Sequence, residues 1–205
     1  MANTEAGTVR TTRQDPGRDA AALMLRTALG PMLFAHGWNK FKGPGGIGGT
    51  EGWFEALGLR PAAVHARLAA ATEMAAGAAL TVGAAGPLPA AAAVGLMSVA
   101  ARTDHRGKGF FVFKGGWEYS GVVAGASVAL AALGHGRYSV DGLLGLRRSG
   151  ARGALVAAGL GAAAAGLLLK VCYRPGEVEG SGEHDAAAGA DDRSASGPDG
   201  ITEAP

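Results

Sequence analysis

Five ionisable residues stand inside or at the margins of long apolar stretches: Arg26, His36, Lys40, Glu73 and Glu118. Their types suit proton exchange and the holding of an anion. A histidine or carboxylate can trade a proton, and an arginine or lysine can stabilise negative charge. In a bilayer such charges are expensive, so each one invites a functional explanation with a named partner. Arg26 precedes His36 by ten residues, about 15 Å along a helix. With His36 at an interface, Arg26 is expected near mid-membrane. Glu73, eleven residues into its own apolar segment, is expected at a similar depth. Opposite charge and matched depth predict an Arg26–Glu73 pair, either an ion pair that fixes helix register or part of a site.

The elements that must carry these residues follow from where charge is absent. Met74 to Ala101 is a run of 28 residues without Asp, Glu, Lys or Arg, Tyr119 to Gly136 gives 18 more, and Gly153 to Leu169 gives 17. About 20 mostly apolar residues suffice for a helix to cross a bilayer. The longest run contains Gly83, Gly86, Pro87 and Pro89, a turn signal that divides it into the end of one helix and the whole of the next. Five spans are expected, at 20–38, 62–85, 88–101, 117–133 and 153–173. A soluble Ala-rich helical bundle is the competing reading, since the mean hydropathy is only +0.16. That mean includes a polar head and an acidic tail. The topology gathers His36, Asn39 and Lys40 with the loop from Arg102 to Lys108 and with Trp117, Glu118 and Tyr119 on one side. At about 100° per residue, Arg26, His36 and Lys40 fall within an arc of roughly 80°, so one polar seam is expected from interface to mid-bilayer. For His36 and His105, a proton-carrying and a merely interfacial role stand side by side.

The fold class is therefore all-α, a polytopic helix bundle. Residues 1–19 form a polar head, 20–146 a membrane core, 147–174 a fifth transmembrane helix, and 175–205 an acidic tail expected to be disordered. The chain has 205 residues, 45 of them Ala and 36 Gly, without the repeat of a collagen; its 6% aromatic content argues against a sheet protein. The formal charge of +2 is the sum of +9 through Arg174 and −7 beyond it. That tail has too little apolar surface to offset the entropy of ordering it. A single cysteine, Cys172, excludes an internal disulfide, a Cys-rich zinc site and a c-type haem attachment. Few basic runs with interleaved aromatics argue against nucleic acid as a partner. Adjacent Asp104 and His105 lack metal-ligand spacing on one helix face, so no metal is expected.

Three further segments need a reading. Residues 43–48 match G-x-G-x-x-G, but a helix and not a strand precedes them, so a flexible loop is expected. Ser139, Asp141 and His135 have the residue types of a hydrolase without a nucleophile-elbow context. From Thr50 to Gly58 a possible N-cap, an apolar face of Trp53, Phe54 and Leu57, and a terminal glycine predict a short interfacial helix able to cover the polar seam.

Taken in order, these landmarks resemble the DoxX family of small bacterial membrane proteins. The resemblance rests on Arg26; His36-Gly37-Trp38-Asn39-Lys40-Phe41; Trp53-Phe54 and Leu57-Gly58-Leu59; Glu73, Gly77 and Leu80; Lys108-Gly109-Phe110-Phe111; Gly116-Trp117-Glu118-Tyr119; and Gly136-Arg137-Tyr138-Ser139-Val140-Asp141. It covers about residues 20–146 and implies a four-helix bundle in the bacterial inner membrane, to which the fifth span and tail are additions. Family members are linked to quinone-coupled thiosulfate oxidation and to thiol or oxidative-stress complexes. The resemblance implies a quinone near Arg26, Lys40 and Glu73, with His36 or Glu118 exchanging the proton and no covalent cofactor. A second hypothesis is a non-catalytic module that holds a soluble redox partner at the lipid bilayer. A transporter is third, and no inverted repeat supports it.

Overall fold

The computed structural model describes residues 15–146 and 150–175. The polar head before Asp15 and the acidic tail beyond Pro175 lie outside the described residues, as does the start of the segment from 147. Among the described residues the chain is all-helical, with seven α-helices and no named strand: α1 Pro16–Lys42, α2 Gly46–Ala56, α3 Ala62–Val82, α4 Leu88–Arg102, α5 Glu118–Leu133, α6 Val140–Leu143 and α7 Ala151–Cys172. Five of them lie at the positions of the five expected spans.

α1 begins earlier than expected because Asp15 caps it, its carboxylate accepting from the N–H groups of Gly17 and Arg18, with Pro16 in the first turn. Its 27 residues reach about 40 Å. α1 and α3 run antiparallel at backbone contact. A methyl group on Gly37 would lie 2.6 Å from the Ala70 carbonyl oxygen, and one on Gly77 would lie 2.6 Å from that of Gly30. Missing side chains thus set the register, pairing Gly30 with Gly77 and Gly37 with Ala70. α4 packs on α3, α5 and α7. The main core joins Leu29 and Leu33 of α1, Leu80 of α3, Met97 of α4, and Val123 and Leu130 of α5. A second cluster places Phe54 of α2 on Leu59 and Ala66. Ala90, Ala131 and Ala157 close the contact of α4, α5 and α7.

The bundle has two ends, a proximal one where α1 starts and a distal one where it finishes. At the proximal end Arg18 donates to the Leu133 carbonyl at 2.6 Å, and Asp19 accepts from the Arg137 N–H at 2.9 Å. At the distal end α7 is clipped to the α2–α3 connection. Leu59 and Tyr173 form an antiparallel bridge, and the Arg60 and Arg174 N–H groups donate to Cys172 and Gly58 at 2.8 and 2.7 Å.

Among the described residues, α7 alone is both long and apolar enough to cross a membrane, with a mean hydropathy of 2.0 over its best window; α4 and α5 are shorter apolar helices. The expectation of five such spans is thus met in helix position but not, by length and composition, in each helix.

Candidate functional site

A cavity of about 480 Å³ lies towards the distal end between α2, α3, α4 and α7. Its walls are mostly apolar. α2 supplies Trp53 and Phe54, α3 Leu68 and Ala69, α4 Gly95 and Leu96, and α7 Leu160 and Leu168. Gly95 keeps α4 close to α7, since a methyl group there would meet the Gly161 carbonyl at 3.3 Å.

One ion pair faces this apolar space. Lys40 Nζ lies 2.6 Å from Glu73 Oε2, and the two side chains are 15% and 7% exposed. Lys40 comes from the last turn of α1 and Glu73 from the middle of α3. They meet because Gly37 and Ala70 bring the helices together one turn away. The pair is costly in apolar surroundings, and the attraction must offset the desolvation of both charges. Facing a cavity, it offers an ammonium donor and a carboxylate acceptor to the polar end of an apolar ligand. His65, Thr103 and Asp104 line the same cavity near its distal end. His65 sits within reach of the Arg60 carbonyl at 3.2 Å.

Arg26 is not Glu73's partner. Its guanidinium, buried, donates to four carbonyls: Leu80 at 3.1 Å, Thr81 at 2.8 Å, His135 at 3.0 Å and Tyr138 at 2.7 Å. It ties the end of α3 to the segment after α5. Depth counted from the ends of a single helix misplaced it, because the α1–α3 register sets Arg26 opposite Gly83, whose added Cβ would meet the guanidinium at 2.8 Å. Glu73 lies ten residues from Gly83, about 15 Å further along α3. The single seam expected from interface to mid-bilayer is therefore two separate assemblies.

His36 and Glu118 also stand apart from the cavity lining. His36 is exposed, stacks on Tyr119 with ring centroids 5.9 Å apart, and has Nδ1 2.9 Å from the Met32 carbonyl. A carbonyl only accepts, so Nδ1 carries the proton of that bond. Glu118 Oε2 accepts from the Val112 N–H at 2.9 Å and orders the loop ahead of α5. His105 similarly bonds the Gly115 carbonyl at 2.6 Å.

Two segments have other roles than the sequence suggested. Gly46 to Gly49 are helical, forming the first turn of α2, where a flexible loop was expected. Thr50 is buried inside α2, its hydroxyl 3.1 Å from the Lys40 carbonyl, so it fastens α2 to α1 in place of capping α2. Trp53, Phe54 and Leu57 all line the cavity. Asp141 is a clamp on the α3–α4 turn. Its carboxylate accepts from the Ala85 and Gly86 N–H groups at 3.1 and 2.8 Å and lies 3.0 Å from His135 Nδ1. Ala85 needs such support, having a left-handed φ of 66° that its side chain disfavours. Ser139 caps α6 through the Gly142 N–H at 2.9 Å.

No curated protein and no solved structure matches this chain. A family model, DoxX, matches residues 21–106, from α1 through the end of α4. That region carries both partners of the cavity's ion pair and three of its apolar walls, while α7 lies beyond it. Over residues 21–106 this chain is thus similar to DoxX, a membrane-associated family whose setting is the lipid bilayer.

Proposed function

We propose that the chain is a multi-pass protein of the bacterial inner membrane whose distal cavity receives a lipid quinone, as the membrane subunit of a thiosulfate- or thiol-linked oxidoreductase. The observation that carries this reading is the Lys40–Glu73 pair on the wall of an apolar cavity of about 480 Å³. That volume suits a ligand of drug size, apolar over most of its surface, with a few polar groups fixing its orientation.

The bilayer part of the reading rests on an inverted surface. Small residues fill many helix contacts, while large apolar side chains such as Met24, Val122, Leu155 and Leu167 are more than three-fifths exposed. In lipid, helices associate by close approach at small residues and leave large apolar side chains to the acyl chains. α1, α3, α4 and α5 would cross with α7 as a compact group.

A bound quinone supplies an acceptor for two electrons and two protons. Lys40 would donate a hydrogen bond to one ring oxygen and stabilise negative charge developing there. Glu73 would hold or release a proton at Oε2, the oxygen it shares with Lys40. With one cysteine in the chain, the electrons would come from a soluble partner protein or directly from a reduced sulfur compound. Trp53 and Phe54 would exclude water from above.

A non-catalytic docking module is the second reading. It is favoured by one specific observation: His36 and Glu118, the expected proton exchangers, are held in local backbone bonds away from the cavity. Titrating the purified full chain with a short-chain ubiquinone or menaquinone analogue separates the two. Saturable binding to the wild type, lost in Lys40→Met/Glu73→Met, is expected. Equal affinity in both, or no binding at all, leaves the docking reading.

A further inference from the structure

The segment between α4 and α5 is ordered by its own bonds yet turns its largest side chains outward. The Gly116, Trp117 and Glu118 N–H groups donate to the Phe111, Gly109 and Phe110 carbonyls at 2.9, 3.2 and 2.9 Å. The carboxylate of Glu118 and the imidazole of His105 are spent on the same backbone. Phe110, Phe111 and Trp117 are about half exposed, and Phe113 is 76% exposed. Their rings touch one another, with Phe110 5.0 Å from Trp117 and Phe111 5.3 Å from Phe113. A rigid loop with outward aromatic rings cannot be explained by looseness.

Charge follows the rings. Arg106, Lys108 and Lys114 are exposed on this loop, and Asp104, 3.5 Å from Lys108, is its one acidic group not engaged with loop backbone. The loop also continues a wider feature. The chain's three tryptophans, Trp38, Trp53 and Trp117, sit on three different elements, are each about half exposed, and all lie at the distal end. Amphipathic rings with flanking cations are the pattern that sits at a headgroup layer, and cations there attract anionic lipids.

We propose that the loop from Arg106 to Trp117 binds anionic phospholipid headgroups at the distal face, with Lys108 and Lys114 on the phosphate and the Phe and Trp rings among the upper acyl carbons. This rests on the bilayer part of the proposed function and is independent of what enters the cavity. Half-exposed tryptophans on three elements at one level of the bundle fit a lipid layer better than the single groove a protein partner would use.

Quenching of Trp117 by brominated lipids tests it. The full-length chain carrying Trp38→Phe and Trp53→Phe is reconstituted in phosphatidylcholine vesicles holding the same minor fraction of brominated phosphatidylglycerol or brominated phosphatidylcholine. The anionic lipid is expected to quench as though enriched about fivefold over its bulk fraction. Adding Arg106→Gln, Lys108→Gln and Lys114→Gln should bring the two lipids level, and their ratio cancels any change in the intrinsic emission of Trp117. Equal quenching before those substitutions overturns the proposal. So does absent quenching by either lipid while a Leu155→Trp probe on the exposed face of α7 is quenched, the result expected of a loop covered by protein. Loss of quenching at the Leu155→Trp probe as well would remove the bilayer reading along with it.

Discussion

Removing Lys40 should damage this protein more than removing Lys40 and Glu73 together. In Lys40→Met the Glu73 carboxylate, 7% exposed, would face an apolar cavity without its cation. Breaking a buried pair in this way typically costs about 3–5 kcal/mol. The lower end applies here, because Lys40 at 15% exposure borders a cavity that can admit water. An expected loss of about 3 kcal/mol lowers the unfolding midpoint of a chain this size by roughly 6–12 °C. Glu73→Met should cost a similar amount by stranding the ammonium. The double variant Lys40→Met/Glu73→Met replaces two charges by side chains of comparable volume in apolar surroundings, so its loss should stay within about 1 kcal/mol. The cycle then yields a coupling of about 5 kcal/mol. Thermal unfolding of the four proteins in one detergent, followed by circular dichroism, reads all of these. Single variants within about 2 °C of wild type, a loss of no more than about 1 kcal/mol, would refute the claim that the pair is desolvated. A double variant that loses as much as both singles combined would refute the pairing itself.

Other expectations concern the parts that hold the cavity in place. Arg26→Gln strips charged donors from four buried carbonyls and should cost about 3 kcal/mol or more in thermal unfolding, while quinone affinity of the folded protein stays within about twofold, roughly 0.4 kcal/mol. Asp141→Asn keeps the side-chain shape but weakens the clamp on Ala85 and Gly86. It should cost about 1–2 kcal/mol and speed hydrogen exchange at those two amides more than in α5. Gly77→Val would place its Cβ 2.6 Å from the Gly30 carbonyl oxygen and force α1 and α3 apart, destabilising by about 1–3 kcal/mol and weakening ligand binding through the Lys40–Glu73 pair one turn away.

The end of α3 and helices α4, α5 and α7 are legible because charge is absent over 74–101, 119–136 and 153–169, and Gly and Pro punctuate the α3–α4 turn at Gly83, Gly86 and Pro87. Register was not. Arg26 and Glu73 match in depth when each is counted along its own helix, but Gly30, Gly37 and Gly77 slide α1 past α3 until Lys40 meets Glu73 instead. Close approach of two backbones is a property of the pair of helices, and a glycine in one sequence segment does not name its counterpart. The glycines of 43–48 misled in a similar way. Gly46 to Gly49 accept a helical turn because Thr50 and Phe54 bury that end of α2, a tertiary gain that outweighs weak local propensity. Asp141 and His135 carried the residue types of a hydrolase; their work is to hold a turn more than fifty residues away in sequence, and the positive φ of Ala85 that demands it leaves no mark in composition. His65, which lines the cavity, gave no signal beyond its place near the start of α3.

The central claim, that a quinone enters the space between α2, α3, α4 and α7, is tested most directly by photoaffinity labelling. A short-chain azidoquinone would be illuminated with the full-length protein in lipid nanodiscs and its adducts mapped by mass spectrometry. Labels confined to residues 53–73, 91–104 and 160–168, and suppressed by excess unlabelled quinone, are the predicted result. Competable labelling around Arg26 and residues 134–141, or labelling that excess quinone does not reduce, would contradict it.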